Sequence, residues 1–278
     1  MSIIATIQRA RQEGWALGQF NMSNLETLQA IVAAAGQAQS PVIVGVSMGS
    51  LRHIGLSYLA GLIQGARSEA TTPLFVHLDH GADLATVKAC INIGFDSVMI
   101  DASRYRFEEN VRVVREVVEL AHNRGVGVEA QVGETWDEET GEEIESRTDP
   151  ASVRRFVDAT GIDYLAISFG NTPGRVEGAA EVDLALIRAC AAESPVPLVL
   201  HGGTSIPDDA IREAIAAGAA KVNIDTAIRQ AVTGALRRAY AGDSGPSDPR
   251  TVLSAARAAA QQVVENKMQL FGSAGRVP

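Results

Sequence analysis

The sequence predicts an α/β protein built as a (β/α)₈ or TIM barrel with an extra C-terminal helix. Short apolar runs alternate with amphipathic segments eight times along the chain. These runs are apolar throughout, as expected for parallel strands that are buried on both faces. Polar residues or glycine follow nearly every run, and a barrel would gather them at one rim. An open, doubly wound sheet is the alternative, and its dinucleotide-binding form is disfavoured because no Gly-x-Gly-x-x-Gly motif follows the first run.

The elements follow one another in a regular order. The predicted strands are Leu17–Asn21, Pro41–Val46, Leu74–Leu78, Ser97–Ile100, Gly125–Val132, Tyr164–Phe169, Pro197–Leu200 and Lys221–Ile224. The predicted helices are Leu25–Gln39, Tyr58–Ala70, Asp83–Ile93, Phe107–Asn123, Ala151–Thr160, Val182–Ala192, Pro207–Gly218 and Ala227–Tyr240. Asn24 is a typical N-cap, and Asp149 followed by Pro150 is a typical helix start.

The whole chain is expected to form one domain. The barrel should occupy about residues 1–240, followed by a linker at 241–250 that is rich in Gly, Ser, Pro and Asp. Residues 251–278 should form an amphipathic helix, Val252 to about Leu270, and a tail. The acidic segment from Gly133 to Asp149 is longer than most connections between such elements, so we expect it to be functional or mobile.

Composition excludes several classes of protein. The chain has 278 residues, 46% of them hydrophobic, and a net charge of −9. An acidic protein is a poor candidate for binding nucleic acid or an anionic membrane. The N-terminal residues Met1–Ile4 lack the features of a signal peptide, and no apolar run is long enough to span a membrane, so we expect a cytoplasmic protein. Cys90 and Cys190 lie in apolar helical patterns and should be reduced core residues.

Chemically competent side chains collect at the end of two strands. His77, Asp79 and His80 end strand three, and His201 ends strand seven. A carboxylate beside an imidazole can transfer a proton, bind a metal, or divide these tasks. The simpler interpretation is a strand end with a hydrogen-bonded histidine. His80 and His201 would meet across the barrel mouth, where they could share a metal ion.

The loops after strands seven and eight predict a phosphate site. Gly202–Ser205 and Asn223–Thr226 offer backbone N–H groups and hydroxyls. Phosphate groups recurrently bind between these two loops in barrels of this type.

Taken together, these motifs resemble the metal-dependent class II fructose-bisphosphate and tagatose-bisphosphate aldolases over essentially the whole chain. The stretches that carry the resemblance are Phe20-Asn21, Asn24–Glu26, His77–His80, Val128–Ala130, Leu200–Thr204, Lys221–Thr226 and Gly272–Arg276. The resemblance implies a zinc site with His80 and His201, and Asp79 as the acid/base on the substrate oxygen. It implies phosphate contacts from Gly174, Gly202, Thr204, Asn223 and Thr226, with a monovalent cation beside them. Asn21, Ser47, Gly203 and Asp225 complete the expected substrate-binding set, and Glu134 in the acidic segment is the expected second catalytic acid.

Three positions depart from the family pattern. Pro173 stands where the family has its third zinc-binding histidine, and Gln131 replaces a carboxylate. The segment beginning Gly133-Glu134 lacks the family's glycine pair. A third ligand would then come from Glu134, Asp101 or Glu129. We therefore expect weaker zinc binding than in a three-histidine relative, or another divalent ion such as Mn²⁺.

The predicted function is reversible aldol cleavage of a phosphorylated ketose to an aldehyde and a product of the dihydroxyacetone phosphate type. One alternative is an isomerase, epimerase or dehydratase of a phosphorylated sugar. Another is a non-catalytic phosphosugar-binding paralogue. A homodimer or homotetramer, assembled through the apolar stripe of Val252–Leu270, is expected from that stripe and the resemblance.

Overall fold

Eight parallel strands close into a barrel in which β8 pairs back onto β1. The computed structural model describes residues 1–133, 147–170, 182–241 and 246–277. The eight strands lie within these ranges. The strands are β1 (Leu17–Asn21), β2 (Val42–Ser47), β3 (Leu74–Gly81), β4 (Ser97–Ile100), β5 (Gly127–Val132), β6 (Tyr164–Ile167), β7 (Leu198–Leu200) and β8 (Ala219–Ile224). The predicted TIM barrel is thus confirmed. The strand β3 runs beyond its predicted end at Leu78, so Asp79 and His80 belong to the strand.

Helices surround the barrel. They are α1 (Ile3–Glu13), α2 (Leu25–Ala38), α3 (Met48–Ile54), α4 (Leu56–Glu69), α5 (Leu84–Asn92), α6 (Phe107–His122), α7 (Pro150–Thr160), α8 (Leu184–Glu193), α9 (Asp208–Ala216), α10 (Thr226–Ala239) and α11 (Pro249–Leu270). The predicted caps of α2 and α7 form, since Asn24 accepts from the Thr27 N–H and Asp149 from the Ala151 N–H. Two helices were not predicted, α1 and α3.

Helix α1 closes the N-terminal end of the barrel. Ile3, Ile7 and Ala10 form one buried face of this helix. They belong to an apolar cluster whose barrel members are inward-facing strand residues, namely Leu17, Ile43, Phe75, Tyr164, Ala166, Val199 and Ala220. A second and larger cluster fills the space between the strands and the surrounding helices. The N-terminal end of the barrel interior is therefore apolar, and the cavity opens at the other end.

Above this apolar layer the inside of the barrel is polar. The side chains there are fully buried, and they include Gln19, His77, Ser97, Glu129 and Lys221. Strand side chains alternate between the two faces, so the residues two positions further along β1, β3 and β8 also point inward, at the barrel mouth. Those residues are Asn21, Asp79 and Asn223. A buried polar layer therefore lies directly beneath the candidate site.

Helix α11 packs against α2 and α10 within the same chain. Its apolar stripe is buried there and comprises Val252, Ala256, Ala260, Val264 and Met268. The stripe alone therefore gives no reason to expect a subunit interface, and the oligomeric state stays a prediction. The tail is anchored as well, because Gly275 N–H donates to the Ala38 carbonyl.

The two cysteines are buried and free, as predicted. Among the described helices, none is long and apolar enough to cross a membrane.

Candidate active site

A cavity of about 330 Å³ opens at the C-terminal ends of the strands. Its described lining consists of Asn21, Ser47, Asp79, His80, His201, Gly202, Thr204, Ser205, Asn223, Asp225, Thr226 and Arg229. These residues come from β1, β2, β3, β8 and the segments that follow β7 and β8. The cavity is therefore built from the part of the barrel in which this fold carries its active sites.

A local distortion of β3 brings two consecutive side chains into the cavity. In a regular strand, neighbours point to opposite faces, so Asp79 and His80 could not both face the mouth. The pairing of β3 with β4 shifts register between Leu78 and Gly81, and His80 has a φ of 53°. A positive φ is unfavourable for a residue other than glycine and costs on the order of 1–3 kcal/mol. This backbone conformation turns the His80 side chain toward the barrel mouth, so that Asp79 and His80 both line the cavity.

Asp79 is held by two amide side chains. Asn21 Nδ2 donates to its Oδ2 at 2.7 Å, and Asn223 Nδ2 donates to Oδ1 at 3.3 Å. Burial raises the pKa of the Asp79 carboxyl, but the nearby imidazoles of His80 and His201 and the Asn21 hydrogen bond outweigh burial, and the pKa falls to about 2. Asp79 is therefore a fixed, ionised carboxylate at neutral pH.

Glycine at position 45 makes room for this arrangement. A Cβ atom on Gly45 would lie 1.9 Å from Asn21 Oδ1 and 2.7 Å from Gln19 Nε2. Gln19 Nε2 in turn donates to Asn21 Oδ1 at 3.0 Å, which orients the amide that holds Asp79.

His80 is oriented by Asp101, the residue after β4. Its Nδ1–H donates to Asp101 Oδ2 at 2.7 Å. Burial lowers the pKa of His80, but this hydrogen bond and the charge of Asp79 outweigh burial and raise the pKa to about 9. Burial raises the pKa of Asp101, yet the bond from His80 holds it well below its ordinary value. Since Asp101 occupies Nδ1, a metal bound by His80 would use Nε2.

His201 is oriented from below by the buried layer. Its Nε2–H donates to Glu129 Oε1 at 2.7 Å. Lys221 Nζ lies 2.8 Å from Glu129 Oε2, and neither side chain has any exposed surface. Burial raises the pKa of Glu129, but Lys221 and the His201 hydrogen bond hold it well below its ordinary value. With Nε2 engaged by Glu129, a metal bound by His201 would use Nδ1.

The donor set at the cavity floor fits a divalent metal ion. Asp79, His80 and His201 each offer a ligand atom, and these atoms lie within 4.8 Å of one another. Two imidazoles and a carboxylate form a known zinc donor set, and a carboxylate partner on each imidazole is typical of metal-binding histidines. Asp101 and Glu129, which the sequence offered as third ligands, instead contact the rings of the two histidines. Among the described residues, Asp79 is the carboxylate that lies close to both imidazoles.

The loops after β7 and β8 form one wall of the cavity. Gly203 N–H donates to the Asn223 carbonyl at 3.1 Å, and a Cβ atom on Gly203 would lie 2.8 Å from Val222 Cγ1. Only glycine therefore allows this loop to lie so close to β8. Thr204 Oγ1 accepts from the Ala227 N–H at 3.2 Å, which joins the loop to the first turn of α10.

The cavity brings together most of the predicted site residues. Among the described ones, Gly203 alone is absent from the lining, because it packs against β8. Glu134, Pro173 and Gly174 lie outside the described residues. Ser205 lines the cavity as part of the predicted Gly202–Ser205 loop, and Arg229 lines it without having been assigned a role. Arg229 follows Thr226 by three positions, and this helical spacing was a usable signal in the sequence.

Comparisons with known proteins agree with this geometry. The family described as "Fructose-bisphosphate aldolase class-II" matches residues 1–276. The chain is 41% identical to the fructose-bisphosphate aldolase of Geobacillus stearothermophilus, with 99% of this chain and 98% of that protein covered. It is 38% identical to the probable fructose-bisphosphate aldolase of Bacillus subtilis (strain 168), with 99% of each covered.

Solved structures agree as well. The YdjI aldolase from Escherichia coli K12 superposes with a TM-score of 0.90 at 30% identity, and the match covers 100% of this chain and 99% of that one. A putative fructose-1,6-biphosphate aldolase from Coccidioides immitis gives a TM-score of 0.87 at 30% identity, covering 99% and 97%. Sequence and structure therefore lead to one conclusion: the chain belongs to the class II fructose-bisphosphate aldolase family and is an aldolase-type carbon–carbon lyase.

Proposed function

We propose that this enzyme reversibly cleaves a phosphorylated ketose into dihydroxyacetone phosphate, or a close analogue of it, and an aldehyde. The observation that carries the proposal is the position of the Asp79, His80 and His201 cluster at the floor of a cavity whose wall is formed by the loops after β7 and β8. The cluster suits chemistry on hydroxyl and carbonyl oxygens. The wall suits a phosphate group.

Asp79 is the proposed base. It is ionised at neutral pH, because its pKa is lowered to about 2 by the neighbouring imidazoles and the Asn21 hydrogen bond, which outweigh burial. It would accept the proton of the hydroxyl at the carbon that becomes the aldehyde. The carbon–carbon bond next to that carbon then breaks, and its electron pair moves toward the ketose carbonyl. Two amides fix the Asp79 carboxylate, so it acts without reorientation.

His80 and His201 are the proposed zinc ligands, with Glu134 or water completing the set. A bound Zn²⁺ would supply Lewis-acid polarisation of the substrate oxygens. Asp101 and Glu129 would keep each imidazole in the tautomer that binds a metal. Glu134 is the proposed acid that returns a proton to the three-carbon product.

The phosphate group is proposed to bind between the two loops. Gly202 and Thr204 would contribute from the loop after β7, and Asn223 and Thr226 from the end of β8 and the start of α10. The N-terminus of α10 begins at this wall, and its helix dipole favours an anion there. Gly174, Asn21 and Ser47 complete the proposed substrate contacts, and a monovalent cation beside the phosphate and assembly as a homodimer or homotetramer complete the proposal.

A cleavage assay tests the proposal. The zinc-loaded enzyme is mixed with a panel of ketose bisphosphates and monophosphates, and dihydroxyacetone phosphate is measured as it forms. We expect cleavage of at least one substrate, loss of activity on treatment with a chelator, and recovery with Zn²⁺ or Mn²⁺. Full activity in a chelator, or no release of a three-carbon phosphate from any member of the panel, would refute the proposal.

A further inference from the structure

A chain of three buried side chains lies inside the barrel, beneath the cavity. It consists of Tyr164 on β6, Ser97 on β4 and His77 on β3, and none of the three has any exposed surface. The Ser97 hydroxyl is hydrogen-bonded to the Tyr164 hydroxyl, and its Oγ lies 2.5 Å from His77 Nδ1. An apolar filling of this space would avoid the cost of burying polar groups, so the chain calls for a functional explanation.

The hydrogen bonds of this chain run in one direction. Burial raises the pKa of Tyr164 well above its ordinary value, so its hydroxyl keeps the proton and donates it to Ser97, its partner among the described residues. The Ser97 proton then points to His77 Nδ1, which accepts it. His77 is neutral, because burial and the charge of Lys221 lower its pKa to about 3. A neutral ring that accepts at Nδ1 carries its own proton on Nε2.

The Nε2–H group of His77 faces Glu129. Nε2 lies 3.7 Å from Glu129 Oε2, and both side chains are fully buried. This distance is longer than a hydrogen bond, but an N–H dipole and a carboxylate attract each other strongly where water is excluded. The opposite tautomer would turn a lone pair toward the same carboxylate and be repelled. The other oxygen of Glu129 accepts from His201 Nε2–H at 2.7 Å, so the buried chain is connected to the His201 ring.

We infer that His77, held by Ser97 and Tyr164, is a positioning residue for His201. Its Nε2–H stabilises the oriented carboxylate of Glu129. That carboxylate in turn keeps the proton of His201 on Nε2 and the lone pair on Nδ1, where a metal ion would bind. The inference rests on the proposed function, because it assumes that His201 is a zinc ligand. It extends the support of the metal site to three residues that are not among the described cavity lining.

Two substitutions of His77 separate a positioning role from a structural one. Glutamine can place its amide N–H group where His77 has Nε2–H, whereas the shorter asparagine reaches only the position of Nδ1. His77→Gln should therefore keep the zinc affinity within about twofold of wild type, and His77→Asn should lower it about 10-fold, at the lower end of the effect of losing a direct partner of a metal-binding histidine. Zinc affinity is measured by competition with a chromogenic chelator, and the melting temperature of each variant is recorded beside it.

The loss of a buried hydroxyl has its own matched control. Ser97→Ala should lower both the melting temperature and the zinc affinity, because His77 Nδ1 loses its donor. Ser40 is also fully buried, and its hydroxyl is hydrogen-bonded to Ser273 Oγ at 2.9 Å, in the connection between α2 and β2. Ser40→Ala should lower the melting temperature and leave the zinc affinity unchanged. Equal zinc affinity in Ser97→Ala and wild type would contradict the inference.

The tautomers are read directly by ¹⁵N NMR of the five histidine rings in the metal-free enzyme. Wild type should show His77 and His201 both protonated on Nε2. The Nε2–H signal of His201 should move upfield in His77→Asn, as its hydrogen bond to Glu129 weakens, and stay in place in His77→Gln. A wild-type His77 that carries its proton on Nδ1 would overturn the inference.

The outcomes separate the two proposals. If the wild-type enzyme binds no zinc, the metal site of the proposed function fails, and the inference fails with it. If the wild type binds zinc and the two His77 variants bind it equally well, the metal site stands and the positioning role of His77 is refuted. Equal losses of affinity in both variants would refute it too, because they would show a purely structural role.

Discussion

The buried pair of Lys221 and Glu129 allows a quantitative prediction about what supports the site. Their charged atoms are 2.8 Å apart, and both side chains are fully buried inside the barrel. Glu129→Gln and Lys221→Met each remove one charge and leave the other unpaired. Glutamine has one oxygen where the carboxylate has two, so it cannot accept from His201 Nε2 and also face Lys221 Nζ with a second oxygen, as Glu129 does.

The magnitude follows from burial. Removing one partner of a buried ion pair costs about 3–5 kcal/mol, because the remaining charge stays desolvated. We expect each single variant to lose about that much of the free energy of unfolding. The double variant Glu129→Gln/Lys221→Met leaves no unpaired charge, so its loss should fall short of the sum of the two singles by at least about 2 kcal/mol.

Urea unfolding provides the assay, with the fluorescence of the buried Trp15 and circular dichroism as two probes whose transitions must coincide. A matched control is Lys267→Met. The ammonium of Lys267 is also 2.8 Å from a carboxylate, that of Asp208, but the Asp208 side chain is 62% exposed. Breaking this surface pair should cost no more than about 1 kcal/mol.

Equal losses of unfolding free energy in Lys221→Met and Lys267→Met would contradict the role of burial. Additive losses in the double variant Glu129→Gln/Lys221→Met would contradict the coupling between the two charges.

Three further predictions follow from the site. Asp79→Asn should keep the fold and the metal content but lower kcat by about 10²- to 10⁴-fold, measured in the cleavage assay beside the melting temperature; full activity would place the proton transfer elsewhere. Asp101→Asn should weaken zinc binding about 10- to 100-fold, measured by competition with a chromogenic chelator, because it removes the carboxylate that orients His80; unchanged affinity would contradict that role. Burial, together with the charge of Lys221, lowers the pKa of His77 to about 3; below pH 6.5 the unfolded chain therefore binds a proton that the native state excludes, and stability should fall as the pH drops from 6.5 toward 3. His77→Gln should flatten the slope of unfolding free energy between pH 6.5 and 4.5, and an unchanged slope would show that other groups cause it.

The barrel itself could be predicted because its signal is local. Each strand is an apolar run between turn residues, and the number and order of the runs determine the fold class. Helix α1 carried a similar signal in Ile3, Ile7 and Ala10. What the sequence did not reveal is that this helix packs across the end of the barrel, because that contact joins it to residues from six different strands.

The site could be predicted only in part, for a related reason. Strand ends predicted which side chains meet at the mouth, and Asp79, His80 and His201 do meet there. The pattern could not decide which oxygen atom contacts which ring. Asp101 and Glu129 both looked like candidate metal ligands, and both turn out to face a histidine ring. Which carboxylate contacts which histidine ring depends on the register of β3 with β4 and on the distance across the barrel from β5 to β8. Neither can be predicted from a local sequence pattern.

The alternation of strand residues connects these observations. His77 and Asp79 on β3, and Lys221 and Asn223 on β8, are pairs two positions apart that point into the barrel at two successive levels. At the lower level, Glu129 lies between Lys221 and His201, so its negative charge is balanced and its second oxygen fixes the imidazole above. At the upper level, Lys221 Nζ donates to Asn223 Oδ1 at 2.8 Å, and Asn223 donates to Asp79. One buried lysine thus orients both the proposed base and a proposed metal ligand, through two different partners.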